Sequence, residues 1–147
     1  MAIEQRNYEP ALMYGADRNA AGSMTSSNPT GPGIGYATGA GGAVTQITSR
    51  ATGVTVNTLS GRITTDTTSL AAEASAVFVV TNSTVAIGDV VVCSIRSGAI
   101  ALNTDVVVSA VAAGSFSITV INNNVAAGIA ETGAIIINYA VIKAVSA

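Results

Sequence analysis

The sequence predicts an all-β fold, a β-sandwich of about eight strands in two four-stranded sheets. Beyond residue 43 the chain is rich in Val, Ile, Thr and Ala, in short runs that Gly, Asn and Asp interrupt at fairly regular intervals. This pattern is typical of sandwiches. No proline follows Pro32. The one segment of good helix formers, residues 70–76, is shorter than the roughly 12 residues that an isolated helix needs, so we expect a loop there.

Residues 1–42 are predicted to form an extended arm, and residues 43–147 the sandwich domain. All three prolines and eight of the fifteen glycines lie in the arm, where turn-forming residues replace any sustained hydrophobic period. Such a segment buries too little apolar area to fold alone and orders on contact with a partner. The glycines where the arm meets the domain predict a hinge at Gly33, Gly35, Gly39, Gly41 and Gly42.

Eight segments of the domain have the composition of strands. Glycine and aspartate between them tolerate the backbone of tight turns, and we expect β-hairpins at residues 59–63 and 112–116. The predicted strands are residues 44–48, 53–59, 62–65, 76–82, 89–96, 104–112, 115–122 and 134–143.

Two of these strands, residues 76–81 and 135–142, are apolar on both faces. A sheet buried on one side in a monomer would carry polar residues on its solvent face. The pattern therefore favours a second buried surface, which oligomerisation would supply. Burial of these strands under loops of a monomer is the alternative.

The composition also indicates a covered surface. Hydrophobic residues make up 49% of the chain and charged residues 10%, well below the quarter expected of soluble domains. No window of about 18 residues is apolar enough to span a bilayer as a helix, and no secretory signal is recognisable at the N-terminus. The six basic residues are spread singly, so no patch for nucleic acid is expected. We expect an unexported protein made in the cytoplasm.

Residues for catalysis or metal binding are scarce. Histidine is absent, which removes the commonest general base and metal ligand. Cys93 is expected to be a small hydrophobe within a strand. The glycine-rich joint lacks a nucleotide-binding pattern. The carboxylates are expected to be isolated and solvated in turns or loops: Asp66, Glu73, Asp89, Asp105 and Glu131. The sequence therefore predicts no enzyme, no cofactor, no metal and no small-molecule substrate.

Four segments carry a family resemblance. They are MAIEQRNYEPALMYG at the start, GIGYATGAGGAVTQITSRATGVTVNTLSGRIT at the joint, VFVVTNSTVAIGDVVV in the domain and INYAVIKA near the end. With them the chain resembles the cement, or head decoration, proteins of tailed bacteriophages. The resemblance implies a jelly-roll-like antiparallel β-sandwich with an extended N-terminal arm. It also implies a homotrimer on the outer surface of the virion that clamps neighbouring major capsid subunits and stabilises the shell.

On this resemblance we expect the arm to lie on a capsid subunit, and the alternative is that it wraps a neighbouring copy in the trimer. The expected contact residues are Arg6, Tyr8, Pro10, Leu12, Tyr14 and Arg18. Two other function classes remain open. One is a receptor-binding β-module of a phage tail, fibre or adhesin, although the chain has no stalk segment. The other is an enzyme whose pocket works without histidine.

Overall fold

The computed structural model describes residues 35–36, 39–125 and 128–144, together with the backbone of residues 17–18 and 24–25. The chain divides into two compact units, Met1–Ala37 and Thr38–Ala147. In the first unit, strand β1 (Asp17–Arg18) pairs antiparallel with β2 (Met24–Thr25). All regular structure in the described part of the chain is strand.

The second unit contains eight strands in two four-stranded sheets, as the sequence predicts. Sheet I has the order β3-β5-β10-β7, and sheet II has the order β4-β6-β9-β8. The strands are β3 (Gly41–Thr45), β4 (Val54–Thr55), β5 (Ser60–Thr64), β6 (Ser75–Thr81), β7 (Val90–Ser97), β8 (Thr104–Ala112), β9 (Ser115–Asn122) and β10 (Ile136–Ile142).

The predicted purely antiparallel pairing is wrong for two ladders. β3 pairs parallel with β5, and β4 pairs parallel with β6, whereas the other ladders of the two sheets are antiparallel. The chain passes between the sheets at each step from β3 to β7. Neighbouring strands such as β3 and β5 are thus joined through a strand of the opposite sheet, and such a crossover can return the chain in the same direction.

The two predicted hairpins have different outcomes. β8 and β9 form the expected hairpin, in which Gly114 has a φ of 77°, a conformation that glycine adopts without steric cost. The hairpin at residues 59–63 is wrong, because β4 and β5 belong to different sheets. Gly61 lies inside β5, where it pairs with Tyr139 of β10. The predicted loop at residues 70–76 is present over residues 70–74 and contains a turn, and Ser75 and Ala76 already belong to β6.

Both sheets contribute to one hydrophobic core. Alternate residues of each strand point inward, so that Ile63 and Ile137 of sheet I and Ile118 of sheet II are fully buried. The rings of Phe116 and Tyr139 meet across the core with centroids 5.4 Å apart. Burying a side chain of this size contributes about 1.5 to 3 kcal/mol, so the shared core holds the sheets together as a sandwich.

Two glycines allow β3, β5 and the ring of Tyr139 to pack closely. A Cβ atom at Gly61 would lie 2.7 Å from the Gly42 carbonyl oxygen and 2.8 Å from Cε1 of Tyr139. The Tyr139 hydroxyl is fixed by a 2.8 Å hydrogen bond with the Thr58 hydroxyl, so the ring cannot move aside easily. Glycine is therefore required at residue 61 by space rather than by a turn.

We expect Gly61→Ala to lower the free energy of unfolding by about 1 to 3 kcal/mol, the usual cost of overpacking. Gly41→Ala is the matched control, since a Cβ there would meet its nearest atom at an ordinary 3.7 Å. Urea denaturation of both variants checks this. Equal stability of the two variants would contradict the packing role of Gly61.

Candidate functional site

One end of the sandwich is built around a buried arginine. Arg50 lies in the loop after β3 and is 2% exposed. Its guanidinium donates hydrogen bonds to the Thr68 carbonyl at 2.5 Å, the Thr65 hydroxyl at 3.1 Å and the Gly133 carbonyl at 2.6 Å. Burial lowers the pKa of Arg50, whereas attraction to Glu131 opposes that shift. The side chain remains charged, as arginine does in proteins.

Glu131 is the buried counter-charge of Arg50. The side chain is 1% exposed, and its carboxylate accepts hydrogen bonds from the Ile100 amide at 2.8 Å and the Thr104 hydroxyl at 2.6 Å. Burial alone would raise the pKa of this carboxyl, but the hydrogen bonds and the charge of Arg50 outweigh it and leave the pKa below its usual value. The prediction that Glu131 is a solvated loop charge is therefore wrong.

Two buried amides extend this cluster. Gln46 Nε2 donates to the backbone carbonyls of Arg50 and Thr52 at 3.0 and 2.8 Å. Asn122 Nδ2 donates to the carbonyls of Leu70 and Ile129 at 3.0 and 2.8 Å. We call the set Gln46, Arg50, Thr65, Thr104, Asn122 and Glu131 the polar cluster, and the end of the domain that contains it the polar end. The polar cluster connects the loops 46–52, 65–74, 98–103 and 123–135.

Asp89 holds the opposite end of the sandwich. Its carboxylate is buried, accepts the Ala86 amide at 2.7 Å and forms an ion pair with Lys143. The hydrogen bond from Ala86 and the contact with Lys143 lower the pKa of Asp89. The expectation of a solvated Asp89 is also wrong, because this carboxylate caps the turn that leads into β7.

Large apolar side chains are exposed on the loops of the polar end. Ile47 is 72% exposed and Leu102 is fully exposed, and the loop after β9 adds Val125 and Ile129. Leu102 has a φ of 66°, a left-handed conformation that is uncommon for residues other than glycine. Strained backbone of this kind persists where the surrounding structure fixes it, and it is frequent at binding sites.

The outer faces of the sheets are also apolar in part. In sheet II, Val77, Val79 and Val107 are between 44% and 51% exposed. Val77 and Val79 belong to the strand that the sequence predicts to be apolar on both faces. In sheet I, Val90 and Val92 are similarly exposed. Exposed apolar faces of this kind commonly mark interaction surfaces.

Sheet I also carries a shallow groove with a volume of about 550 Å³. Its floor contains Gly42 and Gly61, and Arg62 and Arg96 line it beside Asn138. The residues of the groove come from all four strands of the sheet.

Most of the sequence-predicted site residues lie outside the described residues. These are Arg6, Tyr8, Pro10, Leu12, Tyr14 and Gly33. Arg18 is in β1, for which only the backbone is described. Of the hinge glycines, Gly35 and Gly39 are exposed, and Gly39 has a φ of 94°. Gly41 and Gly42 are the first residues of β3, where they pair with β5. The hinge and the arm contacts stay predictions.

Cys93 lies in β7 and is half-buried, as expected for a small hydrophobe in a strand. Burial raises the pKa of its thiol. Across residues 39–125 and 128–144, no group of three or more His, Cys, Asp or Glu side chains could hold a metal ion.

The described segments include no helix with the length and apolar character needed to cross a membrane.

Comparisons with protein-family models, curated proteins and solved structures find no match to this chain. Its function is therefore inferred from its own residues and geometry.

We expect Arg50→Met to lower the free energy of unfolding by roughly 3 kcal/mol or more, because it leaves the carbonyls of Thr68 and Gly133 and the Thr65 hydroxyl without their donor, at about 1 to 3 kcal/mol for each unsatisfied buried group. The matched control is Arg62→Met, which removes an exposed guanidinium and should change stability by about 0.5 kcal/mol or less. Chemical denaturation at neutral pH measures both. Similar losses in the two variants would contradict a structural role for the polar cluster.

The polar cluster also predicts a pH dependence. Because the pKa of Glu131 is lowered in the folded protein, its stabilising contribution is complete above the unfolded pKa, near 4.5, and is lost as pH falls through the folded pKa. Denaturation of wild type and Glu131→Gln should therefore differ most at neutral pH and converge in acid. A difference that is constant with pH would exclude this contribution.

Proposed function

We propose that this chain is a structural decoration protein of a bacteriophage head, which binds the outer surface of the capsid as a homotrimer and clamps neighbouring major capsid subunits. The observation that carries the proposal is a rigid polar end that presents exposed apolar side chains, above all Leu102, on loops connected by the polar cluster. The family resemblance of the sequence supports it. The jelly-roll-like arrangement of the eight strands in two facing sheets is part of the same proposal. The extended N-terminal arm is also part of it.

Rigid loops suit this function for an energetic reason. An exposed leucine that is already held in one backbone conformation loses little conformational entropy on binding. Burial of one such side chain on a capsid subunit contributes about 1.5 to 3 kcal/mol, which is weak alone. A trimer repeats the contact, so its avidity exceeds the affinity of a single contact. Binding to the assembled shell and not to its open state then stabilises the shell by mass action.

The arm supplies a second contact in this proposal. Its aromatic and apolar residues, with Arg6 and Arg18 as polar contacts, lie along a capsid subunit, and the glycines from Gly33 to Gly42 allow the arm to leave the domain. An arm that instead wraps a neighbouring copy is the alternative, and deletion of residues 2–32 separates the two. A truncated protein that stays trimeric and coats heads normally would contradict the capsid-bound arm.

We expect Leu102→Ser to weaken binding to undecorated phage heads by about tenfold or more, since one apolar contact is lost in each copy. The measurement is co-sedimentation of purified protein with heads over a range of concentrations. The matched control is Ile87→Ser, because Ile87 is 76% exposed but lies in the loop between β6 and β7 at the other end of the domain. Ile87→Ser should bind as wild type does.

The same assay tests the proposed function as a whole. Stoichiometric pelleting of the wild-type protein with heads supports a decoration protein. Failure of the wild-type protein to bind heads, together with binding to cells or to glycans, would replace the proposal with a receptor-binding module. Loss of head binding in Ile87→Ser but not in Leu102→Ser would place the contact at the opposite end of the domain.

A further inference from the structure

The edge strands β7 and β8 lie on the same side of the sandwich. β7 is the last strand of sheet I and β8 the last strand of sheet II. Their inward faces touch, since the Cys93 thiol lies 3.8 Å from the Val106 carbonyl oxygen. Their outward faces therefore lie beside the same edge of the sandwich. The two outward faces point in opposite directions, one from each sheet.

Each outward face presents four side chains in a row. The β7 strip consists of Val90, Val92, Ser94 and Arg96, and the β8 strip consists of Asp105, Val107, Ala110 and Ala112. The register shift between Val108 and Ala110 keeps Ala110 and Ala112 on the outer face. Within each strip, successive side chains are about 6.8 Å apart, which is two residue rises of a strand.

The two strips also have the same order along the domain. Arg96 is close to the end of β7 at the polar end, and Asp105 follows Thr104, whose hydroxyl binds Glu131 of the polar cluster. The charged residue of each strip is thus nearest the polar end, and small or apolar residues follow it away from that end.

The charges of the strips are opposite and exposed. Among the described side chains, Arg50 is buried and Lys143, although 49% exposed, is paired with Asp89. Arg62 and Arg96, both on sheet I, are the exposed cations of the described domain without an ion pair. Asp105 is exposed on sheet II, and its carboxylate accepts a 2.6 Å hydrogen bond from Asn123.

We propose that the β7 strip of one copy packs against the β8 strip of the next copy, with Arg96 paired to Asp105. Because the charged residue of each strip is nearest the polar end, the strands of neighbouring copies run along a common axis in this arrangement. Contact between two different surfaces is heterologous, and it closes into a ring where the rotation between successive copies permits closure. Contact at one margin leaves the sandwiches free to diverge outward from the centre of such a ring. The inference rests on the proposed homotrimer and identifies its interface.

Contact between two identical strips is disfavoured by charge. A two-fold pairing of β7 strips brings Arg96 close to its own copy when the strands are parallel, and places it against Val90 of the other copy when they are antiparallel. A two-fold pairing of β8 strips does the same for Asp105, which then meets either its own copy or Ala112. Like charges in an interface suppress such wrong pairings. The low charge of the strips elsewhere means that only the heterologous arrangement satisfies both charged residues.

The test is a charge exchange between the two strips. Arg96→Glu and Asp105→Arg should each raise the dissociation constant of the oligomer at least about tenfold, since each places like charges opposite one another. The double variant, Arg96→Glu with Asp105→Arg, restores opposite charges and should return to within about threefold of wild type. Sedimentation velocity at low ionic strength measures the three dissociation constants. Thermal melting of each variant reports folding separately.

Arg62→Glu is the matched control. It makes the same change of charge on the same face, but β5 is two strands from β7, about 10 Å away, and the dissociation constant should stay within about threefold of wild type. An unchanged dissociation constant in Arg96→Glu, no recovery in the double variant, or an equal effect of Arg62→Glu would each overturn the interface.

The two proposals fail in distinguishable ways. A wild-type protein that is monomeric at all concentrations but binds heads would overturn the interface and leave the decoration function standing. A wild-type oligomer that shows the charge exchange but binds no heads would support the interface and overturn the function.

Discussion

The burial of Arg50 among backbone carbonyls is the constraint on which the polar end depends. A guanidinium taken out of water is costly unless its donors are satisfied, and here they are satisfied by backbone carbonyls of Thr68, Glu131 and Gly133 from different loops. Each of those loops must therefore keep its conformation for the arginine to remain buried. Arg50 therefore stabilises the fold by linking segments that are distant in sequence.

This constraint explains how a chain with few charges can present defined apolar surfaces. Leu102 lies between Ile100, whose amide binds Glu131, and Thr104, whose hydroxyl binds the same carboxylate. The turn is thus held on both sides, and the left-handed φ of Leu102 persists although its side chain is fully exposed. A flexible loop with the same residues would lose entropy on binding. The polar cluster therefore connects the stability of the fold to the geometry of the proposed contact with the shell.

The sequence predicted the parts of the fold that depend on local pattern. β8 and β9 have the predicted bounds because alternating inward and outward residues flank a short turn at Gly114. The conformation of that turn depends on the residues within it. The sequence pattern predicts a hairpin between β4 and β5, because a glycine such as Gly61 occurs both in turns and in crowded strands. Only the position of the Tyr139 ring distinguishes the two cases. Arg50 and Glu131 are 81 residues apart. No local signal reveals that both of these charged side chains are buried at the same end of the domain.

The scarcity of charge has a further consequence for assembly. A surface with many mixed charges can form a weak ion pair in several arrangements, each worth about 1 kcal/mol or less. Here Lys143 is paired with Asp89, and the other exposed cations of the described domain, Arg62 and Arg96, lie on sheet I and face away from Asp105 on sheet II. In the proposed oligomer, a pairing that places Arg96 or Asp105 against apolar surface is disfavoured, because desolvation of a charge is costly. Apolar area supplies the affinity in this proposal, and the two charges determine which faces of neighbouring copies can meet.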